Sequence, residues 1–206
     1  MRSELALGFD TSGAHCAAAL VGPGKVLNRH EAMARGQAER LMPMLEELLA
    51  EAGAGWHDLA VLAVGCGPGN FTGVRIAVSA ARGLALGLGV PAVGVSLLEA
   101  RAFGLPRPLR VVEATRDSLV HVQEFDEAGA VGSPRLASTA DLPVFSGHIT
   151  GSAAPGAAAP ALPLAEAIAR IGLARAHRPG PRPAPLYLRP PDAAPRSEAG
   201  PLILDD

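Results

Sequence analysis

The first sixty residues alternate short apolar runs with turn residues, which predicts an opening antiparallel meander. Residues 5–9 and 14–21 each carry the apolar pattern of a strand, and residues 25–31 predict a third. Gly and Pro at 22–24 mark the turn between the second and third strands. A helix is predicted over 38–52, because apolar residues recur there at helical spacing while Glu and Arg occupy the opposite face. The apolar residues of that stripe include Leu41, Met44, Leu45, Leu48 and Leu49.

A strand–helix–strand unit is predicted next. The continuous apolar run at 59–64 is typical of a strand buried on both faces. A glycine-rich segment, 65–73, then leads into a helix predicted over 74–88, and 90–95 predicts a further buried strand. Ser96 is placed to cap a short helix after it. The unit implies two parallel strands joined by a right-handed crossover.

The predicted helix 74–88 is apolar on most of its circumference, which requires that most of its surface be covered. One apolar stripe of it comprises Val74, Ala77, Val78, Ala81, Ala85 and Leu88. A second consists mostly of small residues: Ile76, Ala80, Gly83 and Gly87. Each internal Gly costs about 0.5–1 kcal/mol relative to Ala. Two glycines on one stripe therefore indicate close approach by another helix, either within the chain or in a partner.

The composition changes near residue 104. Four of the 19 prolines lie in the first hundred residues and fifteen lie after them. We predict one lobe at 1–104 and a smaller second lobe at 105–206. The second lobe is expected to hold strands at 109–114 and 119–125 and a helix at 164–171. A Pro/Arg-rich tail follows from residue 177, and its apolar segment 186–188 is expected to form a surface strand or an extended arm.

Composition excludes several classes of function. The net charge of −2 provides no global attraction for nucleic acid or anionic lipid, so any contact with RNA must be local or come through a partner. Of the two, we expect contact with tRNA only indirectly, through a partner. Two cysteines and the lack of a leader pattern at the first residues predict a cytoplasmic protein. The longest apolar stretch, 77–95, is interrupted by Arg82 and several glycines, so no membrane span is predicted.

Residue spacing provides little evidence for metal or nucleophilic chemistry. The six histidines all lie more than ten residues apart, so no metal site is predicted. Cys16 fits a strand and is expected in the core. Cys66 stands among glycines at a strand end, where a small residue fitting a tight turn is favoured over a nucleophile. No catalytic residue is assigned.

Two segments could bind phosphate or could simply be turns. Asp10, Thr11 and Ser12 follow a buried strand, where hydroxyls and backbone N–H groups could face a phosphate, or where Asp10 could cap the turn. Gly67, Gly69 and Gly73 precede a helix and could cradle an anion at its N-terminus. The alternative for the second segment is a rigid strand-to-helix turn with Phe71 as an anchor, which we favour.

Several motifs, in this order, resemble the TsaB family, the smaller paralogues of the threonylcarbamoyl-transferring enzyme TsaD. They cover 7–12, 38–49, 67–76, 81–86 and 93–100, and the most specific is Gly-Pro-Gly-x-Phe-Thr-Gly-x-Arg at 67–75. In the second lobe the match is limited to short stretches at 114–116, 120–125 and 185–189. The family usually has His at Gln37 and Ser at Asn70, and its Asp-Ala-Arg is replaced here by Glu113-Ala114-Thr115-Arg116.

The resemblance implies an actin/hexokinase-like α/β fold of two lobes with a reduced second lobe. It also implies a non-catalytic scaffold subunit of the tRNA N6-threonylcarbamoyladenosine-forming complex, paired with a TsaD-like paralogue through a four-helix bundle. A TsaE-like ATPase, a homodimer in the absence of TsaD and ATP or ADP at the complex interface are further implications. The expected interface residues are Leu41, Met44, Leu45, Leu48, Phe71, Arg75, Ile76, Ala80, Gly83 and Gly87. The alternatives are a small nucleotide-dependent phosphotransferase using Asp10 and the glycine loop, or a metallopeptidase homologue.

Overall fold

The first sheet is mixed: it has five strands, of which three form the predicted antiparallel meander and two run parallel to the first. In this computed structural model, which describes residues 4–115, 118–154, 156–178 and 180–188, the sheet order is β3-β2-β1-β4-β5. The first three strands are antiparallel, and β4 and β5 run parallel to β1. The strands are β1 (Leu5–Asp10), β2 (His15–Gly22), β3 (Lys25–Ala32), β4 (Leu59–Gly65) and β5 (Ala92–Val95).

Helices cover both faces of this sheet. On one face lie α1 (Gln37–Ala52) and α2 (Phe71–Leu88), which pack on Leu7, Phe9 and Leu62. On the other face lies α4 (Leu164–Arg175), against the alternate residues Ala6 and Val61. The two-residue period of the strands produces this division, because successive side chains point to opposite faces.

The second sheet has four strands in the order β8-β7-β6-β9. Its strands are β6 (Leu109–Ala114), β7 (Leu119–Asp126), β8 (Gly129–Ser138) and β9 (His148–Thr150). The short helix α3 (Leu97–Ala102) connects the two sheets and packs on β6 and α4. The Ser96 side chain accepts a hydrogen bond from Glu99 N at 3.0 Å, which confirms the predicted cap.

Helix α4 approaches the first sheet closely because small residues line the contact. A Cβ atom on Gly8 of β1 would lie 2.6 Å from Ala165 O and from Ala169 N. A Cβ atom on Gly172 would overlap the Cβ of Ala63. The helix therefore lies almost backbone to backbone on β1 and β4, which larger side chains would prevent.

The predicted elements of the first hundred residues are confirmed within three residues at each end. Two strands of the second sheet were not predicted: β8 is mostly exposed and interrupted by Gly132 and Pro134, and β9 has only three residues. The predicted boundary near residue 104 falls between the two sheets. However, α4, which the sequence assigned to the second lobe, packs on the first sheet.

Helix α2 is, among the described residues, the one helix with the length and composition to cross a membrane. Its buried residues, including Val74, Ala77 and Ala81, pack in the core of the first lobe. It also carries Arg75 and Arg82, both exposed.

We predict that Gly172→Leu lowers the free energy of unfolding by about 1–3 kcal/mol, because the new side chain must displace Ala63. Ala174→Leu is the matched control: it introduces the same side chain on the same helix at an exposed position, where changes are usually within about 0.5 kcal/mol. Urea unfolding of both variants measures the difference. Equal stability of the two would contradict the close packing of α4.

Candidate functional site

The turn after β1 is held together by the buried carboxylate of Asp10. Its Oδ1 accepts hydrogen bonds from Ser12 N at 2.9 Å and Ser12 Oγ at 2.8 Å, and lies 2.8 Å from Nε2 of His15. Its Oδ2 has no hydrogen-bond partner among the described residues and faces Gly65 of the adjacent strand β4. Asp10 therefore stabilises the turn mainly through hydrogen bonds to its Oδ1 atom.

The glycine-rich loop packs directly on this turn. Thr11 Oγ1 donates a hydrogen bond to Gly73 O at 2.6 Å, and Asn70 N donates one to Ser12 O at 2.6 Å. A Cβ atom on Gly73 would overlap Thr11 O, and one on Gly69 would overlap Ser12 O. These two glycines are therefore required by close contact between backbones.

Two N–H groups at the start of α2, those of Asn70 and Gly73, are hydrogen-bonded within the chain. Asn70 is the N-cap, and its side chain accepts a hydrogen bond from Gly73 N at 3.0 Å. The Asn70 amide is already bound to Ser12 O, and Gly67 O accepts from Leu97 N at 2.7 Å. An anion that bound to the N–H groups of Asn70 and Gly73 would have to displace these two hydrogen bonds. The geometry thus favours the rigid-turn interpretation of the loop.

The six candidate nucleotide-binding residues lie in one cluster, where the turn after β1 meets the glycine-rich loop. The hydrogen bonds and close contacts described above join the segment of Asp10, Thr11 and Ser12 to Gly69 and Gly73, while Gly67 belongs to the same loop. A nucleotide role for them stays a prediction. A nucleotide would have to bind to hydroxyl and N–H groups that already form hydrogen bonds within the chain.

Both cysteines are buried, and burial raises the pKa of each thiol. Loss of solvent raises the pKa of Cys66 from 9.0 to about 11, against backbone hydrogen bonds that lower it. The pKa of Cys16 is also raised to about 11, first by burial and then by repulsion from Glu31. Since the thiolate is the nucleophile, the structure favours a packing role for both residues.

Within the described residues, 4–115, 118–154, 156–178 and 180–188, no group of three or more His, Cys, Asp and Glu side chains is placed to hold a metal ion. In the second lobe, Glu113 stands where the resemblance expects aspartate. It forms an ion pair with Arg101 at 3.1 Å and accepts a hydrogen bond from Ser152 Oγ at 2.6 Å. Arg116, the arginine of the same motif, lies outside the described residues.

The apolar stripe of α1 is covered by the chain itself. Leu41, Met44, Leu45 and Leu48 are each 1% exposed or less and pack in the core of the first lobe. The expectation that these four residues form an uncovered interface is therefore wrong. An amphipathic helix turns its apolar stripe to the nearest apolar surface, and here that surface is the chain's own sheet.

The outer face of α2, defined here as Ile76, Ala80, Gly83, Leu86 and Gly87, is not covered. Both glycines are exposed, Leu86 is 84% exposed, and the other two residues are half-buried. A Cβ atom on Gly83 or on Gly87 would meet nothing within 4 Å. Close approach within the chain therefore does not explain these glycines, in contrast to Gly69 and Gly73.

An open apolar groove adjoins this face. It has a volume of about 440 Å³ and lies between α1, the end of α2 and the one-turn 3₁₀ helix Trp56–Asp58. Its lining residues are Met42, Trp56, His57, Gly83, Leu84, Gly87 and Leu88. Sequence reasoning missed both Leu86 and Trp56, although Leu86 lies two helical turns after Ser79 on the same side and Trp56 is the single tryptophan.

The extended arm near the end of the described chain crosses the glycine loop. Leu186 N donates a hydrogen bond to Cys66 O at 2.8 Å. The Tyr187 ring stacks on Phe71 with ring centroids 5.0 Å apart, and Tyr187 Oη accepts a hydrogen bond from Arg75 Nε at 2.8 Å. Of the surface strand or extended arm predicted at 186–188, the structure shows the extended arm, and the tail from residue 189 lies outside the described residues.

A family model and several known proteins match parts of this chain. A family model described as TsaD, tRNA N6-adenosine threonylcarbamoyltransferase, matches residues 29–141. The tRNA threonylcarbamoyladenosine biosynthesis protein TsaB of Escherichia coli is 42% identical over 98 residues, which are 48% of this chain and 42% of that protein. An uncharacterized protein of Mycobacterium tuberculosis is 36% identical over 168 residues, 79% of each chain.

Solved structures extend the likeness to the second lobe. YeaZ from Pseudomonas aeruginosa has a TM-score of 0.70 at 29% identity, over 89% of this chain and 99% of that chain. Another structure from the same organism, described as an uncharacterized protein with similarity to peptidase YEAZ, has a TM-score of 0.74 at 29% identity, over 90% and 99%. The predicted two-lobe actin/hexokinase-like fold class is thereby confirmed. The chain's matches span less than half the length of the TsaB relatives from Escherichia coli and Haemophilus influenzae.

We predict that Gly73→Ala destabilises the chain by about 1–3 kcal/mol, because its Cβ would overlap Thr11 O, a backbone atom that cannot move aside cheaply. Gly87→Ala is the matched control on the same helix and should raise stability by about 0.5–1 kcal/mol through better helix propensity. Thermal unfolding followed by circular dichroism measures both. A neutral Gly73→Ala variant would contradict the backbone contact.

We also predict slow alkylation of both native thiols. A pKa of about 11 leaves roughly a thousandth of each thiol as thiolate at pH 8, compared with about a tenth at 9.0, so the rate falls at least about a hundredfold. The rate should increase as pH approaches 11. Iodoacetamide labelling followed by mass spectrometry tests this, with the urea-unfolded chain as control. Rapid labelling of Cys66 in the folded chain at pH 7 would contradict this prediction and would support Cys66 as a nucleophile.

Proposed function

Since the chain belongs to the TsaB family, we propose that it acts in tRNA threonylcarbamoyladenosine biosynthesis as a non-catalytic scaffold subunit. In this proposal it pairs with a TsaD-like transferase through the outer face of α2 and supports the activity of that partner. The complex is expected in the cytoplasm, with a TsaE-like ATPase as a further partner.

The observation that carries the proposal is the pair of exposed glycines, Gly83 and Gly87. Each costs helix stability relative to Ala, and nothing in the described chain approaches either of them. Small residues on one side of a helix allow a second helix to pack at a short interaxial distance. The outer face of α2 therefore fits a helix of another chain.

The neighbouring groove fits the same partner. Its walls are mostly apolar, and its position beside Gly83 and Gly87 allows a large aliphatic or aromatic side chain of the docked helix to enter it. Buried side chains in such pockets provide most of the binding free energy at protein interfaces. Trp56 and Met42 would then be covered in the complex.

The hydrogen bonding of the turn after β1 supports a role without chemistry of its own. The hydroxyl of Thr11 is bound to Gly73 O, and that of Ser12 is bound to Asp10. A phosphotransferase would need these groups and the Asn70 amide free to face phosphate. A homodimer in the absence of the partner, ATP or ADP at the junction with the partner, and indirect contact with tRNA remain predictions of the same proposal.

We predict that Gly83→Leu leaves the isolated chain at least as stable as the wild type but weakens pairing with the TsaD-like paralogue from the same organism. Leucine improves helix propensity by about 0.8–1 kcal/mol, yet its side chain would occupy the space that the partner helix needs. The expected loss of binding is about 2 kcal/mol or more, roughly thirtyfold. Calorimetric titration of the two purified proteins measures it.

Ala174→Leu is the control for that titration. It adds an exposed leucine to α4, on the opposite face of the sheet, and should bind the paralogue as the wild type does. Equal affinities of Gly83→Leu and the wild type would sink the assignment of the docking face. Absence of binding by the wild type would reject the scaffold proposal itself. Leu45→Glu is unsuitable as a test, because it would bury an unpaired carboxylate in the core and unfold the chain.

A further inference from the structure

Residues 180–188, called the strap here, are bound across the ends of two parallel strands. Leu186 N is hydrogen-bonded to Cys66 O just after β4, and the backbone of Ala184 is hydrogen-bonded to the Cys66 thiol. Pro183 is buried beside β5, 3.4 Å from where a Cβ atom on Gly94 would lie. The strap therefore has a defined position, although it forms no sheet ladder.

The strap delivers one aromatic ring to the first turn of α2. Tyr187 stacks on Phe71 at an interplanar angle of 26°, and its hydroxyl accepts the hydrogen bond from Arg75. The Arg75 guanidinium carbon lies 3.7 Å from the centroid of the Phe71 ring, a cation–π contact. Three side chains from two distant segments thus hold one another at this end of the helix.

This cluster is only partly covered and lies next to the outer face of α2. Phe71 is 39% exposed and Tyr187 is 40% exposed, so both rings keep surface open to solvent. Arg75 precedes Ile76 and stands one turn before Ser79, on the exposed side of the helix. Tyrosine, phenylalanine and arginine are among the side chains that are enriched at protein interfaces.

The charge of the helix limits what can bind there. Residues 71–88 contain Arg75 and Arg82, both exposed, and no acidic residue. A second copy docked with its α2 against this α2 would bring the same cations, whereas a helix with carboxylates would neutralise them. The complementary partner is an apolar helix with acidic residues at its edge.

We propose that the strap completes the docking face: Tyr187 orients Arg75, and the surface formed by Phe71, Arg75 and Tyr187 binds carboxylates of the partner. The inference rests on the proposed function, since the partner is the same TsaD-like paralogue. Tyr187 is a positioning and contact residue whose role depends on its ring and on its hydroxyl. In this proposal the contacts of the strap with the ends of β4 and β5 hold Tyr187 in the position that partner binding requires.

The test is a titration of the paralogue with four full-length variants. Tyr187→Ala should weaken binding roughly tenfold or more, and Tyr187→Phe, which keeps the ring but loses the acceptor for Arg75, should weaken it less. Arg75→Gln should reduce the dependence of affinity on salt concentration, which a purely structural role would not change. Phe145→Ala is the matched control, because Phe145 also lies against an arginine, Arg110, but on the second lobe.

The outcomes separate the two hypotheses. If Gly83→Leu abolishes binding while Tyr187→Ala and Tyr187→Phe bind as the wild type does, the proposed function stands and the strap inference is overturned. If the wild type fails to bind, both fall. Should Tyr187→Ala lose stability, Tyr187→Phe together with hydrogen exchange of the Leu186 amide decides: weaker binding with that amide still protected supports the inference, and unchanged binding overturns it.

Discussion

Direct contact between backbones, possible only where a side chain is absent or very small, is the constraint on which the first lobe depends. It occurs between the turn after β1 and the glycine loop, at Gly69 and Gly73, and again between α4 and the sheet, at Gly8 and Gly172. Because the protein has few aromatic residues, its core gains dispersion energy by this closeness rather than by large rings. The same contacts fix where α2 begins and therefore which of its sides faces outward.

Glycine has two different meanings in this chain, and only the structure separates them. Gly73 is held against Thr11 O and belongs to the fold, whereas Gly83 and Gly87 have open space around them. The first kind explains a packing arrangement within the molecule. The second kind is a cost to helix stability without a benefit in the isolated chain, and in the proposed function a helix of the partner supplies that benefit.

The sequence predicted the elements of the first lobe because their periodicity is strong and their ends carry turn residues, as at Gly53 and Ser96. It could not say which apolar stripe is covered by the chain itself. The stripes of α1 and α2 look alike as patterns, yet Leu45 is buried on the sheet while Leu86 is not. That difference depends on how the helices are placed on the sheet, which involves strands far apart in sequence.

Other parts of the candidate site also depended on long-range contacts. Tyr187 lies more than a hundred residues from Arg75, and no local pattern indicates that they meet. Strand β8 is mostly exposed and carries Gly132 and Pro134, so its pairing with β7 had little local signal. By contrast, the clustering of Asp10 with the glycine loop was predictable, because both follow parallel strands that end at the same edge of the sheet.

The position of the strap in the chain sets an order of events during synthesis. Residues 71–88 leave the ribosome well before 180–188, and polypeptides fold largely from the N-terminus as they emerge. Helix α2 can therefore dock on its sheet while Phe71 still lacks Tyr187 and while α4 has yet to cover the opposite face. In a nascent chain this end of α2 lacks its contact with Tyr187. The cluster of Phe71, Arg75 and Tyr187 can form only after nearly every other described element has been synthesised.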